Sequence, residues 1–294
     1  MRATKGNPMS IVVTGATGQL GNLIVEHLIN RGVAPAEITA VGRNTARLAH
    51  LAATGVATAV IDYSSPASLA AAFAGAGADQ LMLVSGSEVG QRVAQHTNAI
   101  TAAVAAGVRH IVYTSAPAAT TSALILAPEH KATEEALQAA GVPFTILRNG
   151  WYTENYTAAI VQARENGVYL TSAGDGRVAS ASRTDYAEAA AVVLTTPGHD
   201  NAVYELAGDV AWTGTDMAEA LTEVVGRPVV FSSVSPEEHT AILTGAGLDG
   251  GTVGFVVALD GNTRDGLLAG GSTELATLIG RPTTPLIEGL RAIA

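Results

Sequence analysis

A chain of 294 residues, 48% hydrophobic and only 4% aromatic, can hold one large α/β domain or one such domain with a smaller appendage. Its formal charge of −10, with no basic stripe anywhere, argues against a nucleic-acid partner, whose phosphates would need neutralising. With no cysteine there can be no disulfide, thiolate chemistry, Fe–S cluster or cysteine-type zinc site.

Met1–Pro8 is polar, and no apolar run follows it that would make a signal peptide. It reads equally as an added leader or as a native extension ahead of a start at Met9. No run approaches the roughly 18 apolar residues of a membrane span. A soluble, cytoplasmic protein with no membrane partner is expected.

Ile11–Val13 is an apolar run that ends in a Gly-rich turn, and Leu20, Leu23, Ile24 and Leu28 then recur at helical spacing. Ile38–Val41 and Val56–Ile61 read as the second and third strands, Leu69–Phe73 as part of a short helix and Leu81–Val84 as the fourth strand. Val93–Ala106 is a helix stopped by Gly107, Val108–Tyr113 the fifth strand, Glu129–Ala140 a helix stopped by Gly141, and Phe144–Leu147 the sixth strand. Strands that alternate with helices imply parallel βαβ units and a Rossmann-type, doubly wound α/β sheet. Ligands on such sheets sit at the carboxyl ends of the strands.

After Arg148 the rhythm loosens. Val168–Leu170, Val203–Leu206 and Val229–Phe231 read as short strands, some of which could return to the main sheet, and Asp185–Leu194, Thr213–Val225 and Pro236–Leu243 as helices. Gly245–Gly254 and Gly261–Ser272 read as flexible, Gly-rich segments. The expected division is a dinucleotide-binding domain over 9–150 and a smaller α/β substrate-capping lobe over 151–294.

The heptad Gly15-Ala16-Thr17-Gly18-Gln19-Leu20-Gly21 follows a strand and opens a helix. Its first glycine permits the tight turn, its second lets backbone approach a pyrophosphate, and its third allows close helix–strand packing. The helix start supplies unpaired N–H groups for phosphate. Cofactor contacts are therefore expected at Gly15, Thr17, Gly18, Gln19 and Leu20. The second strand ends Val41-Gly42-Arg43-Asn44, without the carboxylate that would bind a 2′-hydroxyl. Arg43, assisted by Arg47, suits a 2′-phosphate instead, so NADP(H) is expected and NAD(H) is the lesser alternative. Asp62 and Tyr63 should lie near the adenine, Ser85, Gly86 and Ser87 beside the ribose and pyrophosphate, and Thr114 and Ser115 toward the nicotinamide.

The Tyr-x-x-x-Lys pair of ordinary short-chain dehydrogenases is absent, because Ala127 stands four residues before Lys131. The remaining catalytic candidates are His130, Lys131 and Asn149, the last as a donor to a substrate oxygen. Trp151 and Tyr152 could stack on a flat ring, with Asn155 just beyond. His130 reads equally well as a buried structural histidine and Lys131 as a solvated one. No metal-ligand spacing occurs.

These residues bear a resemblance. Gly15–Gly21, Val84-Ser85-Gly86-Ser87-Glu88-Val89-Gly90-Gln91-Arg92, Tyr113-Thr114-Ser115 and Glu129-His130 are similar to the type 2 NAD(P)H:quinone oxidoreductases of the NmrA-like, atypical short-chain dehydrogenase group. So are Arg148-Asn149-Gly150-Trp151-Tyr152, Ala179-Ser180-Ala181-Ser182-Arg183 and Ile279-Gly280-Arg281-Pro282-Thr283-Thr284, and the likeness covers nearly the whole chain from Met9. The resemblance implies flavin-free hydride transfer from NADPH to a quinone. It places Arg148 at the cofactor, Asn149 at the acceptor oxygen, and Gln91, Trp151, Tyr152 and Asn155 on the acceptor side. The chain departs from that family at Gly86, at Lys131 and across Pro117–Pro128, so another conjugated carbonyl is an alternative acceptor. A tailoring oxidoreductase or oxygenase acting on a polycyclic natural product, and a non-enzymatic dinucleotide sensor, are competing readings. The oligomeric state is not legible; a homodimer is plausible by base rate alone.

Overall fold

A computed structural model describes residues 10–294, so the question about residues 1–8 lies outside the described residues. The strands run in chain order as β1 (Ile11–Val13), β2 (Ile38–Gly42), β3 (Ala57–Val60), β4 (Gln80–Leu83), β5 (His110–Ser115), β6 (Phe144–Asn149), β7 (Val168–Thr171), β8 (Ala202–Leu206) and β9 (Val230–Ser233). Seven of them form one sheet in the order β3-β2-β1-β4-β5-β6-β8, and β7 pairs with β9 in a second sheet. Strands β1 to β6 pair in parallel, with Val12 beside Thr39 on one side and Leu81 on the other. The order reverses direction at β1, so the doubly wound sheet opens its crevice beside the Gly-rich turn.

Helices α1 (Gln19–Asn30), α2 (Thr45–Ala52), α3 (Pro66–Ala76), α4 (Arg92–Ala105) and α5 (Ala127–Ala139) each follow a strand, β1 to β5 in turn. Local chemistry starts several of them. Asn44 accepts from the Arg47 N–H at the head of α2, and Ser65 caps α3 ahead of Pro66. The core on one sheet face joins Val12, Val41, Leu81, Leu83, Ile111 and Ile146 to Leu69, Phe73, Ile100 and Leu137 from α3, α4 and α5.

The remaining helices are α6 (Thr157–Asn166), α7 (Arg183–Thr195), α8 (Gly214–Val225), α9 (Pro236–Gly245), α10 (Gly250–Arg264), α11 (Glu274–Ile279) and α12 (Leu286–Arg291). The chain divides into two compact units. One draws on residues up to 116, 128–148 and 186–204; the other on 117–127, 149–185 and 205–294.

Helix α10 corrects a sequence expectation, because most of it falls in the segments read as flexible. Each interior glycine costs a helix about 1 kcal/mol relative to alanine, which hides it from propensity. Tertiary contacts override that cost. Asp249 caps the helix by accepting from the N–H groups of Gly251 and Thr252, Val253 and Thr263 are buried, and Asp260 accepts from the Ser172 N–H at 2.6 Å. Beyond α10, Leu268 is buried and its carbonyl accepts from the Ala179 N–H at 2.8 Å, so this stretch is also tied down.

The close contact of α1 with β1 is set at Gly21. A Cβ there would stand 2.3 Å from the Gly15 carbonyl oxygen, and Gly15 itself has φ +60°. We predict that Gly21→Ala destabilises the protein by roughly 2–3 kcal/mol through overpacking against backbone. Chemical denaturation would measure it; an unchanged midpoint would mean that the turn relaxes freely.

Candidate functional site

The turn after β1 is built from backbone. The Gly18 N–H donates to the Gly15 carbonyl at 2.8 Å, and the Ala16 N–H to the Val41 carbonyl at 3.1 Å. Gly18 precedes α1, where no side chain caps the helix and no acidic residue occupies the first turn. The early amides of α1 are thus left for an anion. Gln19 is exposed, whereas Leu20 points inward, so only its backbone can serve a ligand. Thr17 is held from both sides: its carbonyl accepts from Arg47 Nη1 at 2.7 Å, and a Cβ on Gly42 would stand 2.7 Å from its Oγ1. Gly42 is a site residue that sequence reading passed over.

The loops beside this turn are cross-tied. The Tyr63 hydroxyl lies 2.7 Å from both Thr14 Oγ1 and the Val84 carbonyl, so it pins the end of β4 to the end of β1. Burial pushes this phenol well above its usual range. Asp62 is exposed and accepts from the Ser64 N–H at 2.8 Å. The Ser85 N–H donates to Thr114 Oγ1 at 2.8 Å and the Gly86 N–H to His96 Nε2 at 2.9 Å. Both amides are therefore spent inside the protein, and so is the Gly86 carbonyl, which accepts from Arg92 Nε. Ser87 and Gln91 are exposed. Arg43 is also exposed and pairs with Glu88 at 2.6 Å.

Beneath the loops runs a buried polar chain; sequence reading singled out its His130, Ser115 and Arg148 but not His96, Arg92 or Glu134. His96 Nε2 accepts from Gly86, and its Nδ1 lies 3.1 Å from Thr133 Oγ1, whose own proton goes to the Glu129 carbonyl at 2.9 Å. The proton on His96 must therefore sit on Nδ1. Burial, and then the Arg92 charge, pull His96 down to about 3. His130 Nδ1 shares a 2.7 Å hydrogen bond with the Tyr113 hydroxyl, and burial and Arg92 take this imidazole to about 3 as well. His130 is thus a neutral, buried group, and Lys131 beside it is exposed. Arg92 is buried, donates to the Gly86 carbonyl at 2.9 Å and pairs with Glu129 at 2.8 Å. Arg148 grips the fully buried Glu134 with two bonds of 3.0 and 2.7 Å, and Ser115 donates to the same carboxylate. Ser115 and Arg148 are therefore brought together by an internal carboxylate.

Asn149 ends β6. Its Nδ2 donates to the Tyr152 hydroxyl at 3.2 Å, while its buried Oδ1 meets no hydrogen-bond partner. Burial raises the Tyr152 phenol above its usual range, so it keeps its proton. A turn of the amide about its last bond lets Tyr152 donate to Oδ1 and makes the NH2 the unpaired end. Either way one end of the Asn149 amide is buried without a hydrogen-bond partner. Arg183 organises the residues that follow: its N–H donates to Glu154 at 2.9 Å, its Nη2 to Asn155 at 2.9 Å, and its guanidinium lies 4.6 Å from the Tyr152 ring centre.

In the same unit a cavity of about 220 Å³ is lined by Trp151, Asn155, Tyr156, Tyr169, Trp212 and Asp260, among others. Tyr156 and Trp212 meet edge to face with ring centres 5.0 Å apart, and the Trp212 Nε1–H donates to Ser180 Oγ at 2.9 Å. Among the described residues no cluster could hold a metal ion, and no helix is long and apolar enough to cross a membrane.

Residues 15–197 match the NAD(P)H-binding family. The chain belongs to that family. It is 46% identical to quinone oxidoreductase 2 of Escherichia coli strain K12, over 95% of this chain and 97% of that protein. It is 30% identical to the NAD(P)H azoreductase of Xenophilus azovorans, over 97% and 98% of the two chains. The solved E. coli NADPH-dependent quinone oxidoreductase with NADPH superposes with a TM-score of 0.91, covering 96% of this chain and 99% of that one. The Citrobacter triphenylmethane reductase with NADP(H) also reaches 0.91 at 38% identity, covering 97% and 100%. The NAD(P)H-binding oxidoreductase reading and the NmrA-like resemblance are thus established for this chain, and so is its Rossmann-type fold.

The two depressed histidines carry a pH signature. Each is neutral when folded, near 3, against 6.5 when unfolded. The stability they contribute is present above the unfolded value and is lost as pH falls from about 6.5 toward 3, because the unfolded chain then binds more protons. We predict that the unfolding temperature drops on acidification, and that His96→Leu is less stable at neutral pH but falls less steeply. Parallel slopes in the two proteins would count against this.

Proposed function

We propose that this NAD(P)H-binding oxidoreductase passes hydride from NADPH to a quinone or a related conjugated carbonyl, with no flavin. The cofactor fits the cradle: Gly21 has no room for a Cβ, a Cβ on the exposed Gly18 would stand 3.2 Å from the Gly15 carbonyl oxygen, and the head of α1 is uncapped. Bound NADPH supplies the hydride. The backbone of Gly15, Thr17, Gly18, Gln19 and Leu20 would hold its phosphates, and Arg43 its 2′-phosphate. Asp62, Ser85, Ser87 and Thr114 would line its path, while Tyr63, Gly86, Ser115 and Arg148 shape that path through internal bonds.

The observation that carries the acceptor reading is the aromatic cavity with Trp151, Tyr156, Tyr169 and Trp212 in its walls. A cavity of about 150 Å³ already takes a benzene ring, so this one admits a small flat acceptor. The unpaired end of Asn149 would orient the acceptor, and the Arg183 clamp holds Tyr152 and Asn155 beside it. Gln91 would border the acceptor side. Lys131 and His130 need not move a proton: the first is exposed and the second stays neutral. Hydride addition to a quinone gives a delocalised anion that water can protonate, so positioning does most of the catalysis. This reading assigns cofactor binding to 9–150 and the acceptor to 151–294. It also implies a cytoplasmic enzyme, since NADPH is supplied there. The azoreductase and triphenylmethane reductase relatives agree with an electron-accepting aromatic substrate.

Three outcomes test this. NADPH absorbance should fall rapidly on adding benzoquinones or naphthoquinones, with NADH slower; binding without turnover on every quinone would sink the reading. Arg43→Ala should weaken NADPH by about tenfold or more and NADH little, since a charged hydrogen bond is worth about 1.5–3 kcal/mol. Asn149→Ala should lower single-turnover hydride transfer about tenfold while NADPH affinity holds; unchanged transfer would remove Asn149 from the mechanism.

A further inference from the structure

The pair Arg43–Glu88 has a place in the fold that its chemistry makes informative. Arg43 stands just past β2 and Glu88 in the loop after β4, and β1 lies between those strands. Neighbouring strands are roughly 5 Å apart, so the 2.6 Å contact between Arg43 Nη1 and Glu88 Oε1 reaches over about two strand spacings, across the mouth of the Gly15–Gly21 turn. Glu88 Oε2 accepts from Gln95 Nε2 at 2.9 Å, and the same Nε2 reaches Ser64 Oγ, in the loop after β3, at 3.2 Å. The carboxylate is therefore held on the adenosine side of the turn. Glu88 is the one hydrogen-bond partner of the Arg43 guanidinium among the described residues.

We propose that Glu88 is a built-in competitor for the 2′-phosphate of NADPH: it occupies Arg43 across the turn and yields it only to a more strongly charged ligand group. The inference rests on the NADPH reading of Arg43. The pair is exposed, at 64% and 41% of its side-chain surfaces, and an exposed ion pair is weak because solvent screens it. A phosphate monoester carries about −1.5 to −2 charges and three acceptor oxygens, so it can displace a single carboxylate. A 2′-hydroxyl cannot. A nucleotide without the phosphate meets an arginine already neutralised and gains nothing from it. Gln95 and then Arg43 hold the Glu88 carboxyl below its usual range, against smaller opposing effects of desolvation and Asp62. The carboxylate is thus charged and in place when the nucleotide arrives. Glu88 therefore tempers what the 2′-phosphate gains from Arg43 and leaves binding of a nucleotide without that phosphate as it is.

The test compares 2′,5′-ADP with 5′-AMP, two probes that differ only in the 2′-phosphate, by calorimetry on the whole protein. Glu88→Gln keeps an acceptor for Gln95 and removes the charge. It should tighten 2′,5′-ADP by about two- to fivefold, the worth of the exposed pair, and leave 5′-AMP unchanged. In an Arg43→Ala background the same substitution should change neither probe. Equal tightening of both probes would make Glu88 a mere obstacle over the turn and overturn the proposal. Weaker binding of 2′,5′-ADP, or no change, would overturn it too, as would an effect that persists without Arg43. If Arg43→Ala alone leaves 2′,5′-ADP affinity untouched, the 2′-phosphate reading of Arg43 itself falls. That result is separate from any failure at Glu88. Binding of 5′-AMP by each variant shows that it is folded.

Discussion

The approach of α1 to the end of β1 is the constraint on which the cofactor side depends. Gly21 rests against the Gly15 carbonyl with no space for a methyl group. That contact lets the uncapped head of α1 face the mouth of the sheet, where its first amides have no competing acid. It also brings Thr17 against Gly42, the last residue of β2, so the turn and the start of the Arg43 loop form one packed object. A larger residue at either glycine would separate the amides from the arginine, and an anion could no longer use both.

The loops above this object are held by a different physics. Polar groups under them are buried, and a buried polar group must be paired. His96 and His130 meet the requirement by staying neutral. Glu134 meets it through the planar fork of Arg148 and the hydroxyl of Ser115. Such buried ion pairs add little net stability, because desolvation offsets attraction, but breaking one is costly. Their effect is geometric: the ends of β5 and β6 and the face of α5 share one set of hydrogen bonds. The cost of leaving any of them unmade keeps the site from drifting.

The acceptor side shows the opposite economy. Asn149 keeps a buried polar end unpaired, an exception among the buried side-chain polar atoms of the described residues. An unsatisfied buried group is expensive, and under the proposed function the acceptor would supply the missing partner. Arg183 makes this tolerable by fixing Asn155, Glu154 and the Tyr152 ring together, which leaves Asn149 little freedom to seek another bond.

Much of this was legible in the sequence, for physical reasons. The Gly15–Gly21 spacing and the alternation of apolar runs with helical periods are local properties, so they determined the parallel sheet, the turn and the class of ligand. Arg43 in place of a carboxylate was legible for the same reason. Helix α10 was not, because its glycines lower propensity while its stability comes from Asp249, Asp260 and buried Val253. His96, Glu134 and Arg183 were invisible as site residues, since each acts on partners far along the chain: His96 on Gly86 and Thr133, Glu134 on Ser115 and Arg148, Arg183 on Glu154. Sequence alone determined what kind of group this protein binds, through short-range spacing. Tertiary structure alone decided which polar groups are already spent on the protein and which remain for a ligand, because that is settled by burial and pairing between residues the chain keeps apart.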